Sequence, residues 1–293
     1  MTRCGAAAVR PQSFVPGRPK WWQWAAILSL DAPAVALAWQ GMFARVASAR
    51  LAGHHVVLLG LSVWLAYSAD RWIEGWRLTV ETVSTQRHYF FLRWRWPAFG
   101  VWLAVLVFGV GLALVRFTAR EWVVSLGLLA ATLVYLLSHQ LLHRENPWRV
   151  PKELCVAAII ALGAALYPAI SDGARMAALA GPVLLLFLLG LANCLLISDW
   201  EREVDALHRQ TSLALQFAQV RHLARWLPVG IALLGLAQAL ASTGAVRQAA
   251  WCGTASAALL AVIAQLQTRL GWERARVLAD AALLTPLVLL ALG

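Results

Sequence analysis

Apolar residues occur in long runs separated by short polar segments along almost the whole chain. The runs extend from 22 to 43, 55 to 72, 97 to 115, 122 to 139, 154 to 170, 176 to 197, 226 to 241, 249 to 266 and 277 to 292. Most approach the ~20 residues that a helix needs to cross a bilayer. The pattern predicts an all-α polytopic membrane protein with nine transmembrane helices.

Composition agrees with this prediction. The 293 residues are 61% hydrophobic and 13% charged, which is too apolar for an ordinary soluble domain of this length. Residues 1–20 are polar and basic and predict a tail, followed by a single transmembrane domain over 21–293. The four cysteines have no CxxC spacing, so the sequence predicts neither a disulfide framework nor a zinc site built on cysteine.

The net charge of +11 could suggest a nucleic-acid partner, but its distribution favours a membrane explanation. The tail and every second loop carry nineteen of the 25 Lys and Arg residues, and the remaining loops carry six. By the positive-inside rule this predicts a cytoplasmic N-terminus and, after nine spans, a C-terminus outside. A bacterial inner membrane is the expected location, and no nucleic-acid partner is needed.

The sixth apolar run ends abruptly in acids. Asp199, Glu201, Glu203 and Asp205 fall within seven positions of a chain that has only fourteen acids. If the helix continues through them, Asp199 and Glu203 lie at i and i+4 on one face, where two like charges repel. Glu201 would point away from that face. The arrangement predicts a bound cation held by Asp199, Glu203 and Asp205.

The second apolar run ends in the same way. Asp70 and Glu74 repeat the i, i+4 spacing at the same predicted side of the membrane. A solvated surface is the alternative explanation, because Glu74 can reach Arg77 at i+3. Two acidic pairs at two helix ends favour one cation site between them.

Polar residues inside the apolar runs are further candidates. Asp31 lies in the first run, and a buried acid in a membrane helix is a functional candidate or else a polar contact within the bundle. Asn193 precedes Asp199 by one to two helical turns and is also a candidate. Asp280, in the last run, is expected to make a polar contact inside the bundle.

Histidine pairs provide a separate signal. His139 and His143 have i, i+4 metal-ligand spacing, and the other pair, His54 and His55, falls on the opposite predicted side. A di-iron desaturase needs several histidine boxes on one side, so the sequence favours interfacial histidines.

The order of these features indicates a duplication. Runs two and six end in acidic pairs, and runs four and eight end in polar, Arg-bearing turns. Corresponding points are four helices apart, which predicts two pseudo-repeated four-helix halves, related by an axis along the membrane normal, plus one further helix.

These motifs resemble those of the UbiA superfamily of intramembrane prenyltransferases. The family's first motif, NxxxDxxxD, is matched by Ala66, Asp70 and Glu74, with Ala in place of Asn and Glu in place of the last Asp. Its second, aspartate-rich motif is matched by Asp199, Glu203 and Asp205, followed by the basic Arg209.

The segment SLDAP resembles the RLDKP pattern of the family's first helix. Leu30, Asp31 and Pro33 are kept, whereas Ser29 and Ala32 replace the two bases. The resemblance covers most of the chain in architecture and implies a nine-helix bundle around a central cavity.

The resemblance implies Mg²⁺-dependent transfer of a prenyl group from a polyprenyl diphosphate to a lipophilic or aromatic acceptor inside the bilayer. Mg²⁺ would be held by the acids of the two motifs, and the diphosphate would be bound by Arg209, Arg71 and Arg77. Two alternatives remain at this stage. One is a catalytically degenerate relative that binds isoprenoid lipid, and the other is an unrelated ion-coupled transporter that uses Asp31 and Asp280.

Overall fold

The computed structural model describes residues 17–77, 79, 83, 85–138, 151–171, 173–207, 212–217 and 219–292. Within these residues the regular structure is entirely helical, which confirms the predicted all-α class. Arg209, His139 and His143 lie outside the described residues, as do the side chains of Glu74 and Arg77 and most of the predicted basic tail.

The helices before residue 140 begin with a short amphipathic region. A 3-10 turn over Trp21–Gln23 leads into α1 (Trp24–Ile27), which is followed by α2 (Asp31–Ala47) and α3 (Gly53–Arg77). Then come α4 (Gln86–Arg93), α5 (Arg95–Arg116) and α6 (Ala119–Leu137). The start of α6 is fixed by a capping box, in which Thr118 and Glu121 satisfy each other's backbone N–H groups.

Four long helices and several short ones follow. The long ones are α7 (Lys152–Ile170), α8 (Met176–Trp200), α11 (Val220–Ala241) and α12 (Gly244–Leu270). Between α8 and α11 lie α9 (Arg202–Leu207) and α10 (Leu213–Gln216), and the chain ends with α13 (Trp272–Ala282) and α14 (Pro286–Leu292).

Seven of these helices are long and apolar enough to cross a membrane, namely α3, α5, α6, α7, α8, α11 and α12. The first predicted run is bent by 78° between α1 and α2, and it gives an eighth span if the pair is counted as one. Ser29 causes the break, since its φ of 56° is left-handed. These helices confirm an integral membrane architecture.

The ninth predicted run, 277–292, is divided between α13 and α14, which have 11 and 7 residues. Neither reaches spanning length alone. The ninth span, the two four-helix halves and the central cavity therefore stay predictions.

Helix α2 lies at the centre of the bundle and packs against α3, α7, α8, α12, α13 and α14. Its Trp39, Met42 and Phe43 side chains are fully buried. The Trp39 indole N–H donates to the Leu283 carbonyl at 3.0 Å, which ties α2 to the break between α13 and α14. The core is thus built around the helix that begins at Asp31.

Helices α5 and α6 lie at the periphery. Large apolar side chains on both are exposed, including Val107, Leu114, Val123 and Val134. No residue of α6 is buried, and this helix packs chiefly on α7. Such surfaces fit contact with lipid tails and not with water.

The two ends of the bundle differ chemically. We call the end that carries Asp70 and Glu201 the acidic end. The end that carries His55 and Glu121 is the opposite end. Both predicted acidic motifs belong to the acidic end, where α4 connects α3 to the segment after α8.

Candidate functional site

Three helices place polar side chains together inside the acidic end. Asp31 is the first residue of α2, and its Oδ1 accepts the Ala32 N–H at 2.9 Å. Asp280 projects from α13 and accepts a hydrogen bond from the Asn193 side-chain amide of α8 at 2.8 Å. The Asp31 and Asp280 carboxyl groups are also hydrogen-bonded to each other. We call Asp31, Asp280 and Asn193 the interior cluster.

Helix α3 faces the interior cluster with Tyr67 and Arg71. Both are electrostatic neighbours of Asp280, and Tyr67 also neighbours Asp31. Asp70, one position before Arg71, is an electrostatic neighbour of Tyr135 on α6. The predicted phosphate-binding Arg71 therefore lies beside a polar centre that α2, α8 and α13 complete, and the predicted ligand Asp70 lies on the same helix.

The interior cluster has the chemistry of a site for a hard cation. Two carboxyl groups in contact require a shared proton, a cation or a basic neighbour, because two bare carboxylates repel. The Asn193 side-chain oxygen is buried and has no hydrogen-bond partner among the residues that the structure describes, so it can serve as a third oxygen ligand. Mg²⁺ takes oxygen ligands of this kind, and the donor set fits the ion. Arg71 is the protein's own positive group at this position.

The acids of the second motif lie on two helices, whereas the sequence argument assumed one continuous helix. Helix α8 ends at Trp200 and α9 begins at Arg202, so the helix is interrupted at Glu201. The shared cation site of Asp199, Glu203 and Asp205 stays a prediction. Asp199 faces Arg221 at 3.7 Å, and Asp205 faces Lys152 at 3.9 Å. Glu203 is exposed.

Glu201, which the sequence predicted to point away from the Asp199 face, makes buried ion pairs. The Glu201 residue is 5% exposed, and each of its carboxylate oxygens accepts from an arginine. Arg87 of α4 donates at 2.9 Å, and Arg276 of α13 donates at 2.7 Å. Three arginine N–H groups, Arg87 Nε and Nη1 and Arg276 Nε, are buried without partners among the described residues. We call these three residues the Arg–Glu–Arg triad.

An apolar cavity of about 380 Å³ opens at the acidic end between α1, α3, α4 and α5. Three of its tryptophans are held by their indole N–H groups, which donate to backbone carbonyls at 2.9 to 3.0 Å. Ala69 and Ile73 of the cavity wall flank Asp70 in sequence. The aromatic wall residues are Trp64, Trp72, Phe90, Phe91, Trp94, Phe99 and Trp102.

Asp280 was expected to make a polar contact inside the bundle, and its hydrogen bond with Asn193 confirms that contact. Other buried polar residues were not predicted as part of a site. Arg87, Arg276 and the buried Glu153, whose Oε1 accepts the Leu213 N–H at 3.0 Å, were not singled out. Nothing in the sequence says which distant helix each of them contacts.

Comparisons with models of protein families, with curated proteins and with solved structures found no match to this chain.

Proposed function

We infer that the protein is an integral membrane enzyme of the inner membrane that transfers a prenyl group. The donor is a polyprenyl diphosphate, the acceptor is a lipophilic or aromatic molecule, and the reaction depends on Mg²⁺. The observation that carries this inference is the interior cluster, in which Asp31, Asp280 and Asn193 offer oxygen ligands beside Arg71. A cytoplasmic N-terminus and a family relationship to the UbiA enzymes belong to the same proposal.

Each residue then has a defined task. Asp31, Asp280 and the free Asn193 oxygen hold the metal, together with Asp70. Mg²⁺, when bound, neutralises the charge that develops on the departing diphosphate. Arg71 adds positive charge on the same face. Further residues around the site are proposed to bind the metal or the diphosphate: the acids Glu74, Asp199, Glu203 and Asp205, and the bases Arg77 and Arg209.

The apolar chain of the donor needs a place beside the diphosphate. The aromatic cavity supports this part of the proposal, because α3 contributes Trp64, Trp72 and Ile73 to its wall and also places Arg71 beside the interior cluster. Its volume lies in the range of roughly 300–1,000 Å³ that is typical of small-ligand sites. The hydrogen-bonded indoles keep the wall rigid, so little ordering entropy is lost when a chain binds.

The test is release of pyrophosphate by the purified full chain in lipid. It is incubated with Mg²⁺ and prenyl diphosphates of several lengths, with and without a panel of aromatic acceptors. We expect release that requires Mg²⁺ and falls about 10- to 100-fold in Asp280→Asn and Asp70→Asn, since metal sites respond on this scale to lost polar partners.

Glu273→Gln is the matched control. Glu273 lies on the same helix as Asp280 and accepts one hydrogen bond, from Gln23 at 3.1 Å, which glutamine can also accept. Its activity should equal that of the original protein. A protein that binds the diphosphate yet releases no pyrophosphate is a degenerate relative, and the enzyme proposal is then wrong.

Ion-coupled transport is the second candidate, and the contact between Asp31 and Asp280 favours it specifically. A carboxyl pair that shares one proton inside an apolar bundle can bind and release that proton as a carrier does. In proteoliposomes, transport predicts proton movement that Asp280→Asn abolishes and that needs no prenyl diphosphate. Prenyl transfer predicts the opposite dependence.

A further inference from the structure

A second group of metal-ligating side chains lies at the opposite end of the bundle, far from the interior cluster. His54 and His55 belong to the first turn of α3, and Glu121 belongs to the first turn of α6. One ligand atom from each of the three residues lies within 4.8 Å of the others. The prenyl transfer proposed for the acidic end does not involve these residues.

His55 and Glu121 are held in place by their neighbours. The His55 Nε2 and Glu121 Oε1 atoms are 2.5 Å apart, and the His55 ring stacks on Tyr167 with ring centroids 4.5 Å apart. The other Glu121 oxygen accepts the Thr118 N–H and hydroxyl at 2.7 and 2.8 Å. These contacts leave Glu121 Oε1 directed at the histidines and fix its position before any ligand binds.

His54 supplies the independent observation that indicates a ligand. Its ring lies edge-on to His55, with centroids 4.2 Å apart, and its Nε2 is buried without a hydrogen-bond partner in the part of the chain that the structure describes. A buried ring nitrogen without a partner is unfavourable, because it has lost water and gained nothing in exchange. A bound metal ion would satisfy this nitrogen.

We propose that His54, His55 and Glu121 form a Zn²⁺ site. Two imidazoles and one carboxylate are a ligand set that zinc accepts, with the fourth tetrahedral position left to water. Each helix contributes from its first turn, so the ion joins α3 to α6. Helix α6 packs chiefly on α7 and buries none of its own residues, so the ion strengthens the link to α3 that the His55–Glu121 contact already makes.

Two features of the site oppose metal binding and limit its affinity. When zinc binds His55 Nε2, the ring proton must be on Nδ1. Nδ1 can then no longer accept the hydrogen bond that the Ala52 N–H donates to it at 3.3 Å. Arg116 is an electrostatic neighbour of His54 and repels a cation. Two other features favour binding: the ion gives His54 Nε2 a partner, and Glu121 supplies negative charge.

The experiment measures Zn²⁺ binding by the full chain in detergent, purified without a polyhistidine tag, by calorimetry and by the shift in Tm. We expect one Zn²⁺ per chain and a Tm that rises with Zn²⁺ and returns after chelation. His54→Gln and Glu121→Gln should each weaken Zn²⁺ binding at least about tenfold. Glutamine at 121 retains the capping interaction with Thr118, so α6 should still form.

His54→Gln also reports on folding. His54 Nε2 has no hydrogen-bond partner among the described residues, so the variant loses only the packing of the ring, and its Tm without metal should change little. His222→Gln, which changes an exposed histidine on α11, should bind Zn²⁺ as the original does. A His139→Gln, His143→Gln double variant tests the other histidine pair and should also bind normally. Zn²⁺ binding that survives in His54→Gln, or disappears in the double variant, overturns the proposal.

Discussion

Glu201 is a single buried charge that joins two distant helices. Its carboxylate joins α4, which follows the first motif, to α13, which carries Asp280, and both arginines are nearly as buried as the acid. The triad therefore fixes α13, which carries Asp280, relative to α4. Burying three charges is costly, and the cost is offset only while every partner is present.

Replacing Glu201 by Ala should destabilise the protein by about 3–5 kcal/mol, because two buried arginines lose their counter-charge. Glu201→Gln should cost less, since the amide oxygen still accepts one hydrogen bond. Thermal unfolding in detergent measures both. Glu203→Gln is the control, because Glu203 is exposed two residues away and its Tm should not change. Equal shifts in the 201 and 203 variants would falsify the structural role of the triad.

Only part of the site could be predicted from the sequence, and the reason is visible at Asp280. An acid in an apolar run can be recognised without a structure, as Asp31 was. The partner of Asp280 cannot be recognised in this way, because Asn193 is 87 residues away and helical periodicity does not say which helices become neighbours. The i, i+4 argument for Asp199 and Glu203 assumed an unbroken helix, and the structure interrupts that helix after Trp200.

At the scale of elements, close approach between helices depends on small residues, as expected where lipid removes the hydrophobic drive for packing. Gly235 of α11 is the clearest case. A Cβ built there would lie 2.6 Å from the Thr254 hydroxyl of α12 and 3.2 Å from the Thr254 backbone nitrogen. The hydroxyl cannot simply turn away, because it donates to the Ala250 carbonyl at 2.9 Å.

Gly235→Ala should therefore destabilise the protein by ~1–3 kcal/mol, because α11 and α12 must separate to admit the methyl group. Gly230→Ala is matched in helix and in chemistry, but a Cβ at Gly230 meets nothing within 4 Å. That variant should keep its stability or gain up to about 1 kcal/mol from the better helix propensity of alanine. Comparison of their melting temperatures decides the point, and identical values would contradict close packing at Gly235.

The helices themselves were predictable because each long apolar run became one helix with ends displaced by a few residues. The exceptions are the first and last runs, where hydropathy continues through breaks in the backbone. Ser29 interrupts the first, and Leu283 to Thr285 interrupt the last, just before Pro286 starts α14. In the second break, the Thr285 hydroxyl donates to the Cys252 carbonyl at 2.9 Å. Hydropathy does not predict this tertiary contact.

At the scale of the whole molecule, chemistry is divided between two ends. The acidic end combines the interior cluster, the Arg–Glu–Arg triad and the aromatic cavity, and the opposite end holds the His54, His55 and Glu121 group. Prenyl transfer requires the acidic end to face the cytoplasm, where soluble Mg²⁺ and the product pyrophosphate can exchange. The proposed zinc site would then face the other compartment.

Orientation is tested by single cysteines in a chain whose four native cysteines are replaced. Arg202→Cys and Gln219→Cys place thiols at exposed positions of the acidic end, and Ala52→Cys and Thr243→Cys place them at exposed positions of the opposite end. The bias of Lys and Arg toward the acidic end predicts that this end is cytoplasmic. An impermeant maleimide should label Ala52→Cys and Thr243→Cys in intact cells, and Arg202→Cys and Gln219→Cys only in inverted vesicles. Labelling of all four from one side would contradict the spanning bundle, whereas the reverse pattern would place the interior cluster outside and exclude cytoplasmic prenyl transfer.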